Sequence, residues 1–187
     1  MNRVLIVDDE RLLAMALKFE FERQGYEVVG IAGNGLKAIE LCKSTMPDVV
    51  LMDIQMPEMN GVEATRRIME ENPVCVVVLT GYSQFLQPAE QAGAMGYTIK
   101  PLQSPQISPL LQAAQRRFSR YQSLRAQTGS NQEALQSWLL VQQAIQKLVD
   151  KDDLSEEQAA RRLQESATAD GSSLLQAAQA YLAKCDS

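Results

Sequence analysis

Val49-Val50-Leu51-Met52-Asp53-Ile54-Gln55-Met56-Pro57-Glu58-Met59-Asn60-Gly61 begins with four unbroken apolar residues and closes in a turn. An apolar block without polar alternation is the pattern of a parallel strand buried on both faces. Gly61 reads as a turn residue that needs a positive φ. Directly after it, Val62, Ala64, Ile68 and Met69 have the spacing of one apolar helix face.

The same strand-then-helix grammar extends in both directions. Val4 to Val7, Val28 to Ala32, Val74 to Leu79 and Tyr97 to Ile99 are further strand-like runs, and Leu12, Leu13, Ala16, Leu17 and Phe19 mark one of the intervening helices. Five βα repeats with right-handed crossovers imply an α/β fold, a doubly wound five-stranded parallel sheet. Its ligand site is expected at the carboxyl ends of the strands, near the switch in strand order.

After Pro101 the strand-like blocks stop, and Gln, Ala, Leu and Arg dominate. Leu110, Leu111, Ala114, Phe118 and Tyr121 form one helical stripe; Leu135, Trp138, Val141, Ile145 and Leu148 form another. Thr128-Gly129-Ser130-Asn131 lies between them. One Gly costs a helix only about 1 kcal/mol, so a long helix passing through or kinking at this point is expected. Ser155 and Gln158 have the form of a capping box, and Asp170-Gly171-Ser172 should stop one helix and cap the next. The expected organisation is an α/β domain over 1–120, a linker or coiled-coil helix over 107–135, and an all-α three-helix domain over 132–187. So small a bundle has a thin core, and a second copy covering the linker stripe would stabilise it, which implies a homodimer. Arg116, Arg117, Arg120 and Arg125 then read as the solvated flank of that coiled coil.

Composition narrows the function classes. The chain has 187 residues, 45% apolar and 22% charged. No apolar run is long enough to span a membrane. Asp8, Asp9 and Glu10 follow so short an apolar run that a signal peptide is not expected either, which makes the cytoplasm the default address. There is no histidine, so histidine acid-base catalysis, histidine metal ligation and an internal phosphohistidine are excluded. Cys42, Cys75 and Cys185 lack metal-ligand spacing and read as packing residues. Residues 1–101 hold nine Lys/Arg against fourteen Asp/Glu, and residues 102–187 hold nine against nine. Neither part has the basic excess that drives avid nucleic-acid binding, so any such contact must be local.

Asp8 and Asp9 follow the first strand and Asp53 follows the third, which gathers three carboxylates at one sheet edge. Their repulsion is relieved if they share a divalent cation, and all-oxygen ligands favour Mg²⁺. Two turn aspartates and a capping aspartate would give the same pattern.

Asp53 to Gly61, the Thr80-Gly81 pair and Tyr97-Thr98-Ile99-Lys100-Pro101 together resemble the response-regulator receiver family, over residues 1 to about 120. The resemblance implies a flavodoxin-like fold with Asp53 as acceptor of a phosphoryl group from a histidine kinase. It also implies Mg²⁺ held by Asp8, Asp9, Asp53 and the backbone carbonyl of Gln55. Lys100 would supply a cation from beside a cis bond to Pro101, and Thr80 and Tyr97 would form the switch. Such a protein assists its own phosphorylation and dephosphorylation but is not a metabolic enzyme.

Val141-Gln142-Gln143-Ala144, Leu148, Leu154 to Ala159, Arg161-Arg162-Leu163, Ala167 and Leu174 to Leu182 resemble the ANTAR output domain, over about 132–183. That resemblance implies binding of a structured leader RNA and transcription antitermination, with Lys147, Lys151, Arg161 and Arg162 as the cationic face. Ala144-Ile145-Gln146-Lys147-Leu148 departs from the family's usual Ala-Lys-Gly, and the alternative is a phosphorylation-controlled dimer whose helical tail docks a protein.

Overall fold

The computed structural model describes residues 3–185. Five strands, β1 (Arg3–Val7), β2 (Glu27–Ala32), β3 (Val49–Asp53), β4 (Cys75–Thr80) and β5 (Gly96–Ile99), pair in parallel in the order β2-β1-β3-β4-β5. Helices α1 (Arg11–Arg23), α2 (Gly35–Thr45), α3 (Gly61–Glu71), α4 (Leu86–Gln91) and α5 (Ser104–Arg125) follow the strands in turn, with a single 3₁₀ turn at Ser83–Phe85 before α4. Every residue of β3 and β4 is buried, as a central strand covered on both faces requires. The expectation of two-sided burial does not extend to β2 and β5. They lie at the sheet edges, so most of β2 is only half-buried, and Tyr97 and Ile99 of β5 are exposed.

Alternation along each strand sends Leu5, Val7, Val50, Met52, Val76 and Val78 to one face, where they form a core with residues of α2 and α3 such as Ala38, Cys42, Ala64 and Ile68. Asn34 and Asn60 start those helices by accepting hydrogen bonds from Lys37 N (2.8 Å) and Glu63 N (2.9 Å). Burial pushes the thiols of Cys42 and Cys75 up to about 12, which leaves them protonated packing groups.

The chain divides into two compact units, Met1–Arg120 and Tyr121–Ser187. In the second, α6 (Asn131–Asp152), α7 (Glu156–Ala169) and α8 (Leu174–Cys185) follow the end of α5. Trp138 is buried, with Tyr121 packed edge-on at a centroid distance of 6.4 Å.

Several expectations need correction. The long helix expected over 107–135, passing through or kinking near Gly129, instead stops at Arg125 and restarts at Asn131. Beyond Gly129, side chains compete for the backbone here: Ser130 Oγ accepts from Glu133 N at 3.2 Å, Gly129 N donates to Glu133 Oε2 at 3.0 Å, and Thr128 Oγ1 donates to Arg125 O at 3.1 Å. Of the stripe reserved for a second copy, Leu111, Ala114 and Tyr121 are already buried within the chain, and Leu110 and Phe118 are half-buried. Burying the first three therefore does not require a dimer. In the arginine strip read as a solvated flank, Arg116 and Arg125 are exposed, whereas Arg117 is half-buried and donates to Met95 O at 3.2 Å. The capping box at Ser155 is present. The cap of α8, however, is Ser173 rather than Ser172, with Gln176 N donating to Ser173 Oγ at 3.2 Å and Ser173 N to Gln176 Oε1 at 2.8 Å.

Candidate functional site

The winding of the sheet reverses between β1 and β3, and the strand ends there carry the carboxylates. Asp8 follows Val7 and is held in its turn by its N–H donating to Ala32 O at 2.9 Å, while its Oδ1 accepts from Glu10 N at 2.9 Å. Asp53 ends β3 opposite Leu79, and its Oδ1 accepts from Ile54 N at 2.7 Å. Asp8 and Asp53 are buried and Asp9 is exposed, and one oxygen from each of the three lies within 4.8 Å of the others.

The loop beyond Asp53 is held tightly. Gly61 N donates to Ile54 O at 2.9 Å, and a Cβ on Gly61 would lie 2.0 Å from Asp53 O. Gly61 therefore does not serve as the positive-φ turn residue that was expected; Glu58 has the left-handed conformation, with φ 63°. Glycine is required at Gly61 because the first turn of α3 presses against the backbone of Asp53.

Lys100 immediately follows β5, and its N–H donates to Thr80 O at 2.8 Å. From there its ammonium reaches across the end of β4 to Asp8 Oδ2 at 2.8 Å and Asp53 Oδ2 at 3.0 Å. Burial raises the Asp53 pKa and the neighbouring Asp8 charge adds to the rise, with Lys100 opposing both. Burial works against the Lys100 ammonium as well, but its bonds to Asp8 and Asp53 outweigh it and raise the Lys100 pKa. The pocket thus holds more negative charge than one lysine neutralises, and three convergent carboxylates fit a hard divalent cation.

Thr80, the last residue of β4, is buried; its hydroxyl accepts from Tyr82 N at 3.1 Å and lies 3.3 Å from Tyr82 O. Tyr97 on β5 is 44% exposed. Gln55 is in the exposed loop after Asp53. The four expected RNA-facing cations lie in the second unit, Lys147 and Lys151 on α6 and Arg161 and Arg162 on α7. Lys151 is exposed, Arg161 pairs with Glu165 at 2.9 Å, and Arg162 pairs with Asp152.

The family model for the response regulator receiver domain matches residues 4–112. The chain belongs to this family. It is 36% identical over 168 residues to the transcriptional regulatory protein PdtaR of Mycobacterium tuberculosis, a match spanning 89% of this chain and 82% of that protein. It is also 41% identical over 109 residues to the chemotaxis protein CheY of Thermotoga maritima, covering 57% of this chain and 91% of CheY. Among solved structures, the response regulator domain of Thermotoga maritima CheB matches with a TM-score of 0.55 at 35% identity, covering 62% of this chain and 94% of that one. The CheX-CheY-BeF3-Mg+2 complex of Borrelia burgdorferi matches with a TM-score of 0.55 at 29% identity, covering 63% and 89%. Receiver domains bind Mg²⁺ at an acidic pocket, and the Asp8, Asp9 and Asp53 cluster of this receiver fits that use. The Lys100-Pro101 peptide bond of the receiver is cis.

Two features of this receiver site were not foreseen in the sequence, the Ile54 N–H aimed at Asp53 and the contact of Gly61 with its carbonyl. A glycine placed where a helix starts after a strand-end turn was the available signal for the second. The first is a backbone group and leaves no mark in residue types.

Proposed function

We propose that this protein is a response regulator in which Asp53 accepts a phosphoryl group from the phosphohistidine of a kinase. The observation that carries the reading is the position of Lys100, which bridges Asp8 and Asp53 while Asp9 stands at the mouth. An oxygen of Asp53 forms a bond to phosphorus as the phosphorus–nitrogen bond breaks, and the bonding electrons leave with the imidazole. Lys100 disperses charge on the phosphoryl oxygens, and the Ile54 N–H holds the carboxylate in place. Asp8, Asp9, Asp53 and the Gln55 carbonyl would hold Mg²⁺, whose chemistry here is to neutralise phosphoryl charge.

Leu12, Met15 and Phe19 form an exposed stripe on α1 that begins just beyond Asp9, which supports a partner helix lying there during transfer. Thr80 would carry the change outward by leaving Tyr82 for the phosphoryl oxygen, and Tyr97 has the exposure of a side chain free to turn inward. The similarity to PdtaR extends past the receiver, which supports a transcriptional output. In this reading the output is an ANTAR-type unit that binds a structured leader RNA through Lys147, Lys151, Arg161 and Arg162 and causes antitermination, in the cytoplasm.

A second reading has the tail dock a protein instead, and the pairing of Arg161 with Glu165 and Arg162 with Asp152 favours it. The test of the acceptor is incubation with acetyl phosphate and Mg²⁺. One acyl phosphate is expected in the parent and none in Asp53→Asn; labelling that persists in the variant ends the assignment. For the output, filter binding with hairpin RNAs separates the two readings.

A further inference from the structure

Beside the acidic pocket, the receiver unit has a second concavity, which shares only Ile54 and Gln55 with the proposed chemistry. It is an open cavity of about 610 Å³ between the loop after Asp53, α3 and the start of α4. Ile54, Met56, Val62 and Phe85 supply apolar walls, and Glu63 and Arg66 stand in its lining. That volume is in the range of small-molecule sites, about 300–1,000 Å³.

The charge arrangement specifies the kind of ligand. Glu63 is shared by two arginines, with Arg67 Nε on Oε1 at 2.8 Å and Arg66 on Oε2. Glu63 therefore keeps a partner if Arg66 turns away. Arg66 is 48% exposed and lies one turn beyond Val62 on the same helix, so its guanidinium can reach a ligand that rests on Val62. Arg66 is the cation of the cavity lining, and because Arg67 also holds Glu63, the Arg66 guanidinium can turn to an anion without leaving that carboxylate unpaired.

The walls also connect the cavity to the acceptor. Ile54 and Met56 flank Gln55 in the loop that leaves Asp53, and the Ile54 N–H donates to Asp53 Oδ1 at 2.7 Å. A group that changes the charge or position of the Asp53 carboxylate must act on that peptide.

We propose that this cavity binds a free, small amphipathic carboxylate, its apolar body between Val62 and Phe85 and its carboxylate on Arg66, and that its occupancy is linked to the state of Asp53. The linkage rests on Asp53 being the phosphoacceptor; the binding does not. Because coupling between sites is reciprocal, loading of Asp53 changes ligand affinity by the same factor as the ligand changes loading.

The probe is 1-naphthoate, titrated into the full-length ¹⁵N-labelled protein, with uncharged 1-naphthalenemethanol as its control. Saturable amide shifts are expected at Ile54, Gln55, Val62 and Phe85. Arg66→Gln should weaken naphthoate by about tenfold, the size of one charge-assisted hydrogen bond, and leave naphthalenemethanol unchanged. Val62→Trp, which fills the cavity, should weaken both. Shifts confined to the α1 stripe, or equal affinities in the parent and Arg66→Gln, overturn the binding proposal.

The titration is then repeated with beryllofluoride and Mg²⁺, with loading followed by Asp53-dependent shifts at Lys100. A naphthoate affinity changed several-fold in the parent and unchanged in Asp53→Asn is the expected result. If the mimic loads and the affinity stays constant, the linkage is overturned. If it does not load at all, the acceptor reading fails and takes the linkage with it, while the binding claim is decided by the first titration.

Discussion

The Lys100 ammonium lies 3.0 Å from Asp53 Oδ2, although Lys100 follows β5 and Asp53 ends β3, two positions away across the sheet. The same nitrogen is 2.8 Å from Asp8 Oδ2, so one cation is shared between the two buried carboxylates.

Removing that cation should separate two properties. In Lys100→Met the carboxylates lose their protein partner and have only a metal to neutralise them. Mg²⁺ should bind several-fold more tightly, while transfer from acetyl phosphate slows by about tenfold or more, the loss of a charged hydrogen bond of about 1.5–3 kcal/mol. Metal titration and phosphorylation rates measured on one preparation check both signs. A variant that phosphorylates at the parent rate removes Lys100 from the chemistry.

The stabilising effect of Mg²⁺ should depend on pH. Burial holds the Asp53 pKa above its ordinary 3.8, and a metal ligand must be deprotonated. The metal's contribution is therefore complete well above the raised pKa and is lost as pH falls through it. Near neutrality, Mg²⁺ at ten times its Kd should add about 1.4 kcal/mol to the unfolding free energy. Urea midpoints with and without Mg²⁺ should converge in acid, and should differ less at neutral pH in Asp53→Asn.

Gly61→Ala should damage both the fold and the site. A methyl group 2.0 Å from Asp53 O cannot be accommodated without moving α3 or the loop after Asp53. Overpacking of this kind costs about 1–3 kcal/mol. A lowered urea midpoint is expected, accompanied by slower phosphorylation of the protein that remains folded at low urea. Unchanged values in both would mean that the contact is readily relieved.

Asp152→Asn tests whether Arg162 is available to RNA. Asp152 engages Arg162, with both side chains partly exposed, so the pair contributes at most about 1 kcal/mol to stability. If RNA uses Arg162, releasing it should strengthen hairpin binding and make that binding more salt-dependent. Unchanged or undetectable RNA affinity, with thermal unfolding nearly as in the parent, favours the protein-docking reading of the tail.

Much of this was legible in residue types. The unbroken apolar runs at Val4, Val49 and Val74 marked the buried central strands, because only a strand covered on both faces needs no polar alternation. The edge strands β2 and β5 have similar runs but are partly exposed, a difference set by strand order. In the tail, the glycine was read as a weak point where a long helix passes through or kinks. The capping contacts of Thr128, Ser130 and Glu133 turned it into a full break between α5 and α6.

The sequence by itself determined the five βα repeats, the helical tail and the presence of Asp8, Asp9 and Asp53 at strand ends, because periodicity and chain position are local properties. Only the tertiary structure decided that one lysine bridges Asp8 and Asp53, that Gly61 is needed for close approach rather than for a turn, that Arg162 is engaged by Asp152, and that Leu111, Ala114 and Tyr121 of the linker stripe are buried within the chain. The lysine bridge joins segments far apart in the chain, and the Gly61 and Arg162 contacts depend on how a loop folds back between neighbouring elements. Those contacts are set by strand order, loop path and helix packing, which no local pattern of residues records.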